Sequence, residues 1–281
     1  MISLNPYTVK EIRTRTALSP SSMKELKYAV NPYSGCTHGC LYCYAMDMTP
    51  VRPGDTQWGK TVYVKRNFID VLNGEVKKYR RGLVGMSTIT DAYQPVDTGY
   101  RLARETLKIL LSHGFRVTVQ TKSSLVLRDF DIISLHRDAA DVGTTITTTD
   151  RSMSRKIEPL TPGPKARMKI IETADSENIR RWIFYGPIIR GFNDSEENAG
   201  SIIELAAATG TRIIIDRYNS YSTPDKLLER DGINVRRSLQ NEWWIRFSRR
   251  FMEECAKKNV KCNMESDEWF FQNLDTNRTL F

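Results

Sequence analysis

The 281-residue sequence predicts an α/β chain whose parallel sheet forms a partial (β/α)6 TIM-like barrel, flanked by an N-terminal extension and a C-terminal helix and tail. Three observations predict it. From residue 27 to residue 258, short strand-like runs bounded by turn residues alternate with longer segments of helical periodicity. The intervening helices are too long for hairpins, so successive strands are joined by right-handed crossovers and run parallel. Several strands are polar along one side, which suits a sheet curled around a polar ligand with its apolar side turned out against helices.

Residues 1–26 are polar and mixed, and Ser19-Pro20-Ser21-Ser22 breaks any regular element, so this stretch is expected to lie over the outside of the domain. The barrel core is expected over 27–235, and a C-terminal helix and capping tail over 236–281. Residues 27–33 read as a short strand running into a cysteine-rich loop. A helix follows at 68–81, with Phe68, Val71, Leu72 and Val76 on one side and charged residues elsewhere. Further strands are predicted at 83–89, 115–121, 140–148, 182–189 and 211–217, and helices at 99–112, 129–137, 164–174, 195–208 and 239–258.

On the strand faces, Thr88 pairs with Thr90, Thr118 with Gln120 and Lys122, and Thr145 with Thr147. β-branching alone also favours threonine in strands. Lys122, at a strand end between helices, needs an anionic partner or water. The last helix repeats Trp243, Phe247, Phe251 and Cys255 at four-residue intervals, an apolar stripe for packing on the barrel. Its other side is basic, with a net +5 over residues 236–261, and suits either a phosphate backbone or solvent. Trp269-Phe270-Phe271 and Phe281 are expected to fold back over the barrel's open side.

The chemistry is concentrated in Cys36-Thr-His-Gly-Cys40-Leu-Tyr-Cys43, which sets three thiols within eight residues. Three thiolates from one loop can ligate three irons of a [4Fe–4S] cluster and leave the fourth iron open. Two other readings stand beside it. A zinc site would recruit His38 as fourth ligand, although zinc ligands usually come in pairs from separated loops and His38 lies inside the cysteine loop. A disulfide would need a pair and an oxidising compartment. Cys255 and Cys262 have no third neighbour and read as core.

Composition bounds the rest. Forty per cent apolar residues suffice for a buried core, and no apolar run approaches the roughly 20 residues that cross a bilayer. Met1-Ile-Ser-Leu-Asn lacks the basic start of a signal peptide, so a cytoplasmic protein with reduced cysteines and no membrane partner is expected. A formal charge of +9 permits a nucleic-acid partner without requiring one.

The spacing C-x3-C-x2-C followed by Tyr44 resembles the signature of the radical S-adenosylmethionine (radical SAM) superfamily. The match extends through Asn31-Pro-Tyr-Ser-Gly-Cys-Thr-His-Gly-Cys-Leu-Tyr-Cys-Tyr-Ala45, Ser87-Thr-Ile-Thr-Asp-Ala-Tyr-Gln-Pro-Val-Asp97, Thr121-Lys-Ser-Ser-Leu-Val-Leu-Arg-Asp129, Ile157-Glu-Pro-Leu-Thr-Pro162 and Gly186-Pro-Ile-Ile-Arg-Gly-Phe-Asn-Asp194. In that order these segments resemble the spore photoproduct lyase-like branch.

The resemblance implies a partial (β/α)6 barrel with cluster and S-adenosylmethionine at its C-terminal mouth. It implies an enzyme in which reductive cleavage of the sulfonium gives a 5′-deoxyadenosyl radical that abstracts hydrogen from substrate. It implies an electron donor such as flavodoxin or ferredoxin, and a DNA or RNA lesion as one candidate substrate. A nucleic-acid-binding protein with a structural cluster is the competing reading. Carried over by position, Cys36, Cys40 and Cys43 are the cluster ligands, and Thr90, Lys122 and Thr145 are cofactor contacts, with Lys122 facing the cofactor carboxylate. Tyr42 and Tyr44 match aromatic positions implicated in hydrogen-atom relay, or pack the cluster against solvent.

One departure separates this chain from photoproduct repair. The lyase carries a cysteine two residues before the position of Thr90, as hydrogen donor to the product radical, and here that residue is Thr88. A threonine O–H bond is far stronger than a thiol S–H bond. Asp91 and Asp97 suit contact with substrate or cofactor amine, with capping of the next helix favoured for Asp97.

Overall fold

A computed structural model describes residues 7–49 and 58–264. The aromatic tail residues Trp269, Phe270, Phe271 and Phe281 lie outside the described residues.

The strands are β1 (Thr8–Ile12), β2 (Leu18–Pro20), β3 (Tyr28–Val30), β4 (Tyr33–Ser34), β5 (Thr61–Lys65), β6 (Leu83–Met86), β7 (Arg116–Thr121), β8 (Ala140–Thr145), β9 (Arg181–Ile188), β10 (Arg212–Arg217) and β11 (Cys262–Met264). The helices are α1 (Ala45–Met48), α2 (Phe68–Glu75), α3 (Asp97–Tyr100), α4 (Leu102–Ser112), α5 (Phe130–Leu135), α6 (Arg151–Ile157), α7 (Pro164–Ser176), α8 (Glu196–Ala208), α9 (Ser222–Arg230) and α10 (Asn241–Lys257). The main sheet runs β11-β10-β9-β8-β7-β6-β3-β2. Its neighbours are parallel except β2, which is antiparallel to β3. The six crossover-linked strands β3 and β6 to β10 are those the alternating pattern predicts. A second sheet, β1-β5-β4, packs beside the cysteine loop.

The pleat separates two environments. Val84, Met86, Val117, Val119 and Val142 point outward into one core cluster with Phe68 and Leu72 of α2 and Leu107 and Leu110 of α4. Ile183, Ile213 and Ile215 point into a second cluster that holds Trp243, Phe251 and Cys255, with Phe247 packed against it. The stripe of α10 is therefore core, as its spacing predicts. On the inner side, Trp182 closes the barrel floor against Gly143. A Cβ on Gly143 would stand 2.1 Å from the indole, so only glycine admits it. The indole N–H donates to Asp141 (3.0 Å), which also accepts from Thr118 (2.6 Å).

The structure corrects the sequence reading at several boundaries. The strand expected at 83–89 stops at Met86, because Ser87 turns into the left-handed region (φ 77°). Thr88 and Thr90 consequently sit on a loop and not on one strand face. The helix expected at 99–112 is broken by Arg101 (φ 53°) into α3 and α4. The helix expected at 68–81 ends at Glu75, before the basic run 77–81. β1, β5, α6, α9 and β11 are absent from the sequence reading. The extension 1–26 does not lie wholly outside, since β2 pairs with β3 inside the main sheet. The Glu75 carboxylate fixes it there by accepting the N–H groups of Ala17 (2.9 Å) and Leu18 (2.7 Å).

Candidate cofactor cavity

At the C-terminal ends of the barrel strands lies a cavity of about 620 Å³. Its walls carry all eight residues singled out from sequence: Cys36, Cys40, Cys43, Tyr42, Tyr44, Thr90, Lys122 and Thr145. Gln120 joins them from the inner face of β7, and Thr88 from the loop after β6. Thr118 lies below, at the floor, bonded to Asp141. Thr147 is buried away from the cavity.

The cysteine loop leaves β4 through Gly35, whose φ of 77° and whose missing Cβ, 2.6 Å from Thr61 O, both demand glycine. Polar side chains then fix the loop from below. Thr90 Oγ1 donates to Gly35 O (2.6 Å), while Gln94 accepts the Thr37 N–H (2.9 Å) and donates to Thr90 Oγ1 (3.0 Å). Thr90 thus faces the cavity while bracing the loop. Asp91 accepts from Thr121 Oγ1 (2.7 Å) and from the backbone N–H groups of Lys122 (2.9 Å) and Tyr93 (2.9 Å), and His38 Nδ1 lies 3.3 Å from it. Fully buried His38 is therefore turned toward Asp91 and the Cys36 thiol. Burial opposes its charge, yet these two partners push it up to about 9, while His38 holds Asp91 down at about 2 against the effect of burial. Asp97 does not cap the helix expected to follow it: it is the first residue of α3, and its carboxylate accepts the Ala103 N–H in the first turn of α4 (3.0 Å) and is bound by Tyr33 (2.5 Å) and Arg128 (2.8 Å).

All three thiols of the loop are free, with Cys36 and Cys40 buried. Burial pushes Cys36 up, Cys40 to about 11 in spite of nearby Lys122, and Cys43, helped by Cys40, to about 12. A metal bound here must displace those protons. Among the described residues no three Cys, His, Asp or Glu side chains converge on a single ion. Tetrahedral zinc needs such convergence at about 2.3 Å, whereas three thiolates on three irons stand farther apart. The donor set therefore fits a cluster: three free thiols on one wall, with open space and a cation beyond.

That cation is Lys122. Its ammonium lies 5.6 Å from the Tyr42 ring centroid, and no hydrogen bond or ion pair of it occurs among the described residues. Burial alone would lower it, but Cys40 and Glu158 hold it raised and charged. The Tyr42 hydroxyl donates to Glu158, and Tyr44 donates to Thr88 O and packs against Tyr221 at 5.8 Å. Both tyrosine hydroxyls are thus engaged by the protein.

Two residues beneath the cavity carry no sequence-level assignment. Glu158 and Arg167 form a fully buried pair (2.5 Å), in which Arg167 also donates to Thr145 O (3.1 Å), Pro162 O (3.0 Å) and Thr161 Oγ1 (2.7 Å). Through Tyr42 and the bond from Leu41 N–H to Ile157 O (2.8 Å), this pair ties the cysteine loop to the end of β8. Glu158 stands in a stretch already conspicuous in the sequence. Arg167 lies nine residues on, past a Pro-Gly-Pro bend, and no helical or strand spacing links the two.

The family model of the Radical SAM superfamily matches residues 30–200. An uncharacterized protein of Methanocaldococcus jannaschii is 32% identical over 66% of this chain and 70% of its own length. An uncharacterized protein of Acidianus two-tailed virus is 31% identical over 95% of this chain and 84% of its own. Among solved structures, spore photoproduct lyase in complex with a dinucleoside spore photoproduct superimposes with a TM-score of 0.67 at 14% identity, covering 92% of this chain and 82% of that one. A radical SAM methyltransferase from Sphaerobacter thermophilus gives 0.52 at 15% identity, over 84% and 65% of the two chains. At such identities the structural likeness concerns the fold.

Proposed function

The chain belongs to the radical SAM superfamily, and from that premise we propose that it abstracts a hydrogen atom from an organic substrate seated beside S-adenosylmethionine in the barrel cavity. As an enzyme of this superfamily it has a [4Fe–4S] cluster and S-adenosylmethionine as cofactors. When bound, they supply one-electron reductive cleavage of the sulfonium for hydrogen abstraction.

The chain's own residues divide the task. Cys36, Cys40 and Cys43 hold the cluster. Lys122 binds the methionine carboxylate, Thr90 and Thr145 line the cofactor's position, and Tyr44 flanks the substrate space. Tyr42, pinned by Glu158, keeps the loop in place beneath Lys122. One observation supports this reading above the others: three free thiols and an unpaired ammonium, among the described residues, share the walls of one cavity.

Lesion cleavage in DNA or RNA is the second reading, favoured by the fold shared with spore photoproduct lyase and by the +9 charge. Thr88 restricts it. Its hydroxyl accepts from Asn31 Nδ2 (2.9 Å) and lacks the weak S–H bond needed for hydrogen return, so repair of spore photoproduct by the same donor is not expected.

The test is anaerobic reconstitution with iron and sulfide, reduction by dithionite with S-adenosylmethionine, and chromatography for 5′-deoxyadenosine. Its formation, lost in Cys40→Ala, is the expected result. A fully loaded, reducible enzyme that makes none, with any of a panel of oligonucleotide, peptide and metabolite substrates, would favour a structural cluster.

A further inference from the structure

His38 lies inside the cysteine loop, yet no ligand role falls to it: among the described residues no three Cys, His, Asp or Glu side chains converge on a single ion. The residues Cys36-Thr37-His38-Gly39 close a turn in which the Gly39 N–H donates to Cys36 O (3.4 Å). Gly39 itself takes the left-handed conformation (φ 61°) that leads on to Cys40. With the Thr37 N–H tied to Gln94, this turn carries the His38 ring inward, where it is 1% exposed and lines the cavity with Cys36 and Cys40.

Both ring nitrogens of His38 are buried, and neither completes a hydrogen bond among the described residues. A buried polar group in that condition calls for a partner. Two candidates stand beside it: Asp91 Oδ2, 3.3 Å from Nδ1, and the Cys36 thiol. Asp91 is not free to turn. Thr121 Oγ1 and the Tyr93 N–H both donate to its Oδ1, and the Lys122 N–H occupies one side of Oδ2, so the acceptor site that remains faces the imidazole. A carboxylate fixed in this way orients a histidine, as carboxylates do behind metal ligands. On the opposite side, a neutral thiol is a weak acceptor, but the thiolate that metal binding requires is a strong one.

We propose that His38, oriented by Asp91, donates an N–H···S hydrogen bond to the Cys36 thiolate of the loaded enzyme and thereby raises the reduction potential of the cluster. The inference rests on the cluster reading of the three thiols. His38 and Asp91 are then positioning residues that act through Cys36. Reduction places one more negative charge on the cluster and its sulfurs, which strengthens a hydrogen bond to them, so the bond favours the reduced state. No atom or proton changes hands. The consequence is a balance: easier reduction of the cluster leaves less driving force for passing the electron on to the sulfonium.

The test is a redox titration followed by electron paramagnetic resonance, on reconstituted enzyme without S-adenosylmethionine. It compares the unmodified chain with His38→Leu, which removes the donor, and His38→Gln, which keeps an N–H. In His38→Leu the equilibrium constant for reduction should fall about tenfold, a potential lower by about 59 mV, at unchanged iron and sulfide content. His38→Gln should recover part of that shift. A potential that stays where it was in His38→Leu overturns the assignment, since a purely structural role would change cluster content or thermal stability and leave the potential alone. If neither variant assembles a cluster, the unmodified chain grown on 15N-labelled histidine decides. Of the chain's three histidines, His38 alone is among the described residues of the cavity wall. Spin-echo modulation of the reduced cluster should then show the weak nitrogen coupling of a hydrogen-bonded ring. No coupling, or the large coupling of a directly ligating nitrogen, contradicts the assignment. An unmodified enzyme that gives no [4Fe–4S]+ signal at all would overturn the cluster reading itself, and the inference with it.

Discussion

At the scale of single residues, Lys122 and Asp141 lie on the same curled sheet and have opposite electrostatic fates. Lys122 keeps its charge because Cys40 and Glu158 outweigh burial, and no hydrogen bond or ion pair of its ammonium occurs among the described residues. Lys122→Ala should keep iron and sulfide content but weaken S-adenosylmethionine binding by about tenfold, the worth of one charge-assisted hydrogen bond, measured by equilibrium binding. Asp141, at the dry floor under Trp182, is pushed up to about 6 by burial, which the bonds from Thr118 and Trp182 only partly offset. The folded state therefore holds a proton that the unfolded chain has released. Stability is greatest below about pH 4 as far as this group is concerned, and falls as pH rises toward 6, by on the order of 3 kcal/mol. Denaturant melts across that window should show the slope in the unmodified chain and lose most of it in Asp141→Asn, which preserves one acceptor oxygen.

These residues also mark how far the sequence is legible. The cysteine triplet was readable as local ligand spacing, and Lys122 and Thr145 as polar positions at strand ends, whereas Thr90, expected beside Thr88 on a strand face, lies on the loop after Met86. His38 was readable only as a possible metal ligand, since its contact with Asp91 spans 53 positions. Arg167 was not readable at all.

At the scale of elements, the buried Glu158–Arg167 pair joins three pieces: the cysteine loop, the α6–α7 connection and the end of β8. Burying such a pair is costly, and removing one partner leaves an uncompensated charge. Arg167→Met should lower unfolding free energy by about 3–5 kcal/mol in chemical denaturation, whereas replacing both partners together should cost less. A double replacement as damaging as the single would mean that the pair does not act as a unit. The elements missed from sequence share a cause. β1, β5 and β11 are short strands whose stability comes from partners far along the chain, and their own periodicity is too brief to register. α6 and α9 are short, follow turns and hold few apolar residues. Ser87 and Arg101 entered predicted elements because nothing in their side chains announces a left-handed backbone.

At the scale of the whole molecule, six parallel strands were legible because crossover lengths and outward apolar faces repeat along the chain. The edges of the sheet were not. They are β2, through which residues 14–23 reach the cavity, and β11 at the other end, the first read from sequence as an outer extension and the second not read at all. No helix among the described residues is long and apolar enough to cross a membrane. The arrangement that results sets the cysteine loop on the wall of the cavity at the C-terminal ends of the strands.

The most direct measurement is electron paramagnetic resonance of the reconstituted, dithionite-reduced enzyme with and without S-adenosylmethionine, beside Cys40→Ala. A [4Fe–4S]+ signal whose g-values shift when S-adenosylmethionine is added is expected, because the cofactor would bind beside the iron that the three cysteines leave open, with no such cluster in Cys40→Ala. A signal that S-adenosylmethionine leaves unchanged, or a full cluster in Cys40→Ala, would contradict it.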